Sequence, residues 1–175
     1  MPPLVSIKVK PVVRQMAVVI GEGRYNGHNH CRTDEQDLGS PEKNMKVDLQ
    51  GALSEAVVLD ALEENGFEPR GYVLLRKKPK RDPDFTLGHV RYNIKSTDGQ
   101  FLTIPERWLK NPMCDYVLPA IIMGNNRIVL AAPVPVAEIR TWELRHGHSD
   151  YRSINRSCLK RLCSLYDLPG APTVQ

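Results

Sequence analysis

No run of the roughly 20 apolar residues that a membrane span requires occurs in this 175-residue chain, so no membrane partner is expected. The N-terminal stretch "MPPLVSIKVKPVVRQ" has no apolar core ending in small residues, and no secretion signal is expected from it. Internal repeats are absent. So is a Gly-rich phosphate loop, which sets aside a nucleotide cofactor and ATP-driven work. Aromatic residues make up only 6%, and no row of them forms a stacking platform, which weighs against a dedicated single-strand binder. Cysteines are few: Cys31, Cys114, Cys158 and Cys163, with no Cys-x-x-Cys pair. A chain of this length builds a core without staples, so free thiols in a reducing, cytoplasmic setting are expected.

What is present is ordinary globular material. Hydrophobic residues are 41% and charged residues 25%, which suits one domain spanning residues 1–175. The net charge of +4 is mild, and its distribution says more than its size. "RKKPKR" at 76–81 places five cations in six residues, and "RSINRSCLKR" at 152–161 adds four. Either run reads as a solvated face. Together, beside an acidic site, they favour a polyanion partner.

Residues 4–20 read as a short strand and then a helix from about Val12, with Pro11 breaking the run. The segment 21–47, rich in Gly, Asn and charge, reads as a loop. "DLQGALSEAVVLDALEENG", 48–66, is the clearest helix, with Asp48 as cap and Gly66 as left-handed terminator. "YVLL" at 72–75 reads as a strand. "DFTL" and "HVRYNIKS" read as a hairpin turning at Gly88, and "QFLTI" as a further strand. "PERWLKNPM" opens with Pro and then Glu, which suits the first turn of a short helix. "YVLPAIIM", "GNNR" and "IVLAAPVPV" read as strand, turn and strand. "NRSCLKRLCSLY" at 155–166 reads as a C-terminal helix, followed by a tail to residue 175. The order predicts an α/β (α+β) single domain with a central mixed sheet flanked by helices, its core about 48–140.

Side chains alternate along strand 90–96. Val90, Tyr92 and Ile94 share the core face, while Arg91, Asn93 and Lys95 share the other. Asp84, on the preceding arm of the hairpin, is close enough to join Asn93 and Lys95. Glu55 lies mid-helix among apolar neighbours, where a carboxylate needs a reason. Phosphodiester hydrolysis supplies one: carboxylates hold Mg²⁺ (or Mn²⁺), the ion polarises phosphate and lowers the pKa of bound water, and a lysine orients or deprotonates that water. Singly, Asp84 is a turn residue after Pro83, Lys95 a solvated cation, and Glu55 a partner for an arginine.

The segment "GALSEAVVLDALEENGFE…DPDFTLGHVRYNIKSTDGQFLTIPERW" resembles the PD-(D/E)xK nuclease superfamily. It looks most similar to small phage-type or prophage-type members, in which an Asn/Arg-rich loop precedes D-x-x-G-x-x-x-E, here Asp48, Gly51 and Glu55. The resemblance covers about residues 24–140. It implies a restriction-endonuclease-like fold and a Mg²⁺-dependent DNA endonuclease of a bacterial cell or its phage. Asp84 becomes the central metal ligand, Glu55 a helix carboxylate assisting the metal, and Lys95 the catalytic lysine. Asn93 departs from the pattern, which has Asp or Glu there; its amide oxygen ligates without charge. In some restriction-enzyme branches the missing acid has moved to a neighbouring helix, and Glu106 stands in that place, with Asp82 and Asp98 as weaker substitutes. Glu106 also reads as a first-turn acid that favours the helix dipole.

For DNA contacts, Arg24, Asn26, Asn29 and Arg32 stand in the loop "RYNGHNHCR", and Arg76, Lys77, Lys78, Lys80 and Arg81 precede Asp84. "HNH" at 28–30 is a coincidence of letters. His28, His30 and Cys31, like His146 and His148, lack a second ligand pair for zinc. A homodimer would cut two strands with two sites. The alternative reading is a weakened nuclease fold that binds DNA or protein, as a phage accessory or inhibitor factor, with Asn93 as its mark.

Overall fold

The computed structural model describes residues 5–28, 40–72, 83–124, 126–147 and 149–172. The chain opens with strand β1 (Ser6–Lys8), and helix α1 (Pro11–His28) follows with Pro11 in its first turn. Pro tolerates that place because its missing N–H would have had no helical partner. The segment 21–47, expected as a loop, is instead helical at both described ends. The reason is tertiary. Gly21 lets α1 cross the next helix closely: a Cβ there would lie 2.7 Å from Leu49 Cδ2 and 2.9 Å from Leu49 Cα. Packing therefore overrides the weak helix preference of the Gly- and Asn-rich run.

Helix α2 (Pro41–Glu64) begins a full seven residues before Asp48. Ser40 caps it, its hydroxyl accepting from the Lys43 N–H at 3.2 Å, with Pro41 and Glu42 in the first turn. Asp48 is a buried mid-helix residue rather than a cap. The C-terminus matches expectation. Gly66 has φ 79°, the Phe67 N–H donates to Leu62 O, and the Gly66 N–H donates to Glu63 O, the paired bonds of a Schellman stop.

Strands β2 (Phe85–Leu87) and β3 (Val90–Thr97) form the expected hairpin, with Gly88 at φ 55° in the first turn position. Strand β4 (Phe101–Pro105) and helix α3 (Glu106–Lys110) carry the chain over to β5 (Tyr116–Met123), which pairs parallel with β3. Strand β6 (Arg127–Leu130) returns antiparallel, and β7 (Val134–Pro135) leads into α4 (Val136–Ile139). The main sheet runs β1-β6-β5-β3-β2, with β7 also on β5. Residues 117–120 of β5 are buried without alternation, as befits a strand covered on both faces.

A second sheet, β4-β9-β8, joins the crossover strand to β8 (Glu143–Arg145) and β9 (Tyr151–Asn155). The C-terminal helix expected at 155–166 is absent. Asn155 ends β9, and two single 3₁₀ turns follow, Arg156–Cys158 and Leu165–Asp167. Ser164 and Asp167 form a capping box on the second, while Leu162, Leu165 and Leu168 enter the core as separate anchors.

Two apolar clusters result. One packs α1 and α2 against the Tyr92–Ile94 face and takes in Val9, Val13, Ala17 and Leu162, on either side of 48–140. The other fills the space between the main sheet and the second sheet with Leu102, Ile104, Leu109, Cys114, Val117 and Trp142. The molecule is thus a mixed α/β domain with a curled mixed sheet flanked by helices. Among the described residues no helix is long and apolar enough to cross a membrane. The expected strand at 72–75 lies, but for Tyr72, outside the described residues.

Candidate active site

Asp84 is placed by the start of the hairpin. Its own N–H donates to Tyr92 O at 2.8 Å, and its Oδ2 accepts from the Ile94 N–H at 2.7 Å. The buried carboxylate therefore grips β3 between Asn93 and Lys95. Tyr92 is held below by stacking on Phe85 at 4.9 Å between ring centroids and by donating its hydroxyl to Pro169 O at 2.6 Å. Alternation along β3 is as expected: Tyr92 and Ile94 are buried against the helices, and Asn93 and Lys95 face the other way.

That other face is not open solvent. It looks toward the second cluster and α3. The Lys95 ammonium lies 5.2 Å from the centroid of the Trp108 ring, a cation–π contact worth about 0.5–1 kcal/mol. Asn93 Oδ1 is buried and has no hydrogen-bond partner among the described residues. A buried polar atom without a partner is rare in folded proteins and calls for an explanation such as an ion or water. Cys114, on the chain leading into β5, reports the same neighbourhood. Burial pushes its thiol up to about 12, Lys95 works against that rise, and Asp84 and Asp115 add to it. Asp84 and Lys95 thus act on one buried sulfur.

Asp115 fixes the neighbouring strand. It accepts from the Arg91 main-chain N–H at 2.9 Å and from the Arg91 guanidinium at 2.7 and 3.2 Å, which holds its carboxyl below the ordinary range. Trp108, Cys114 and Asp115 were not singled out from the sequence. The one signal for Asp115 was its place just before a strand, the same place that marks Asp84.

The other two carboxylates sit elsewhere. Glu55 is on α2, which packs on the Tyr92–Ile94 face, opposite to Asn93 and Lys95. Its two oxygens accept from Arg24 at 2.9 and 2.6 Å, and both side chains are nearly buried. Arg24, expected on DNA, is therefore engaged inside the α1–α2 pair, while Asn26 is exposed on α1. Glu106, the first residue of α3, accepts from Arg152 of β9 at 2.7 and 3.4 Å. That hydrogen bond holds its carboxyl below the ordinary value of 4.5. Asp98 pairs with Lys46 at 2.7 Å, and His146 with Asp150 at 2.8 Å. Asn29, Arg32, His30, Cys31, Arg76, Lys77, Lys78, Lys80, Arg81, Asp82 and His148 lie outside the described residues, as does the His28 side chain.

Among the described residues no three His, Cys, Asp or Glu side chains converge as a metal group. The two oxygen-bearing groups nearest to such a role are the Asp84 carboxylate, bonded to the Ile94 N–H, and Oδ1 of the neighbouring Asn93, buried and without a partner among the described residues. Comparison with protein-family models, curated proteins and solved structures yields no match.

Proposed function

We propose that this chain is a metal-dependent phosphodiesterase that cuts DNA, on a fold of the PD-(D/E)xK, restriction-endonuclease-like kind. The observation that carries the reading is the buried Asn93 Oδ1, without a partner among the described residues, on the β3 face it shares with Lys95, with the Asp84 carboxylate bonded to the Ile94 N–H between them. The order of a helix, a hairpin, a crossover and a strand parallel to β3 agrees with it. Asp84 and Asn93 would hold Mg²⁺ or Mn²⁺; when bound, such an ion polarises the phosphate and lowers the pKa of water. The chain's own residues do the rest. The Ile94 N–H orients the Asp84 carboxylate, so that group cannot swing away. Trp108 steadies the Lys95 ammonium, which offsets negative charge developing on the phosphate and hydrogen-bonds the attacking water. Glu55 and Glu106 act as framework, each tied to its arginine.

The test is nicking of supercoiled plasmid in Mn²⁺ and in Mg²⁺. Wild type nicks, Asp84→Ala does not, and Lys95→Ala is slower by about 10²–10⁴-fold, the usual contribution of a positioned proton-transfer group. A wild type that does not nick, or variants that nick equally, would sink the reading. A second reading is favoured by one observation: both accessory carboxylates are held by arginines. On that reading the fold binds DNA or a protein without cutting. Retained DNA binding with no Mn²⁺ uptake would select it.

A further inference from the structure

We infer that the cleft between the β5–β6 surface and residues 156–161 is a subsite for one unpaired nucleotide of a nucleic-acid strand, an inference that rests on the phosphodiesterase reading. The cleft measures ≈ 380 Å³. Its floor is aliphatic, from Ile121, Met123 and Val129, and its wall carries Arg156, Leu159 and Lys160. Met123 is 41% exposed there, a large share for an apolar side chain. The wall is fixed rather than adrift. Ala131 and Arg161 form a β-bridge, the Ala132 N–H donates to Lys160 O at 2.9 Å, and the Arg156 N–H donates to Gln100 O at 2.9 Å.

Charge selects the occupant. Among the described residues no acid lines the cleft, and no hydrogen bond or ion pair engages the side chains of Arg156 and Lys160. Two uncommitted cations over an acid-free cleft suit an anion, and the aliphatic floor suits an apolar face on the same ligand. A duplex offers phosphates but keeps its bases stacked inside, which would leave the floor wet. An unpaired nucleotide offers both a phosphate and the face of a base. The volume is at the small end of ligand pockets, room for one base and not for a stacked row. This agrees with the scarcity of aromatics.

Register connects the cleft to the site. Asn93 pairs with Val117, Lys95 with Pro119 and Thr97 with Ile121, so Ile121 shares the face of Asn93 and Lys95. It lies two residues beyond the level of Lys95, roughly 7 Å along the strand. A strand held at the hairpin would have its next nucleotides within reach of the cleft.

The test is fluorescence anisotropy of short labelled single strands and duplexes of equal length, in EDTA so that no cleavage intervenes, with matched DNA and RNA versions to separate the two backbones. We expect a single strand of one or both kinds to bind more tightly than duplex. The double variant Arg156→Ala/Lys160→Ala should weaken single-strand binding about tenfold or more and lower the salt slope by about 0.7, the value for the one phosphate of the subsite. Met123→Glu should weaken single-strand binding and leave duplex binding unchanged. Both are surface changes, and a thermal melt checks that they fold. Equal loss for single strand and duplex, or no loss, overturns the subsite. If the subsite binds strand but the protein never cuts, the phosphodiesterase reading fails alone. If the protein cuts while the double variant binds and cuts like wild type, the subsite fails alone.

Discussion

The Glu55–Arg24 pair and the Asn93–Lys95 pair lie on opposite faces of one sheet and are treated in opposite ways. On the helical face, two nearly buried charges satisfy each other through two short hydrogen bonds. On the crossover face, among the described residues, a buried amide oxygen has no hydrogen-bond partner and an ammonium lies over an indole ring. Groups that complete each other hold elements together. Groups left incomplete in a folded interior are where a ligand is needed. The carboxylate that seemed most anomalous by its apolar neighbours, Glu55, thus belongs to the framework, and the residue that seemed defective, Asn93, belongs to the candidate site.

This contrast is open to being broken. Arg24→Met should be the costliest framework change, lowering stability by about 3–5 kcal/mol because Glu55 is left nearly buried and charged. Pairing it with Glu55→Met should recover most of that loss. Urea titration measures both, and a small effect of the single change would remove the distinction between the faces. Gly21→Ala comes next, at about 1–3 kcal/mol, because the added Cβ meets Leu49 backbone that has nowhere to move. Helix propensity alone would favour alanine by about 1 kcal/mol, so the sign of the change decides which effect wins. The smallest effect is at Glu106, half-buried at the start of α3. Its carboxyl is lowered by the Arg152 hydrogen bond, so the stabilisation is fully present above the ordinary value of 4.5 and fades as pH falls through the lowered one. Glu106→Gln should therefore be less stable than wild type at neutral pH and converge with it in acid, as thermal melts across pH would show.

The sequence made local features legible. Gly66 needs a left-handed backbone and Gly88 a tight turn, and both stand where those conformations occur. The period of two along β3 placed Asn93 beside Lys95 correctly. What escaped was everything decided by distant partners. Phe101 pairs with Asn155 in the second sheet, whose apolar residues pack toward the face that carries Asn93 and Lys95. Arg24 and Glu55 are 31 residues apart in the chain, Glu106 and Arg152 are 46 apart, and no spacing rule links such pairs. The helical ends of 21–47 escaped because close packing at Gly21, not propensity, makes α1 continue.

The proposed site requires that Asp84 and Asn93 together bind a hard cation. Calorimetric titration with Mn²⁺ tests it on wild type, Asp84→Ala and Asn93→Asp. The expected result is weak binding by wild type, none by Asp84→Ala and tighter binding by Asn93→Asp, since the added carboxylate brings charge to the same oxygen position. Indistinguishable titrations for wild type and Asp84→Ala would contradict it.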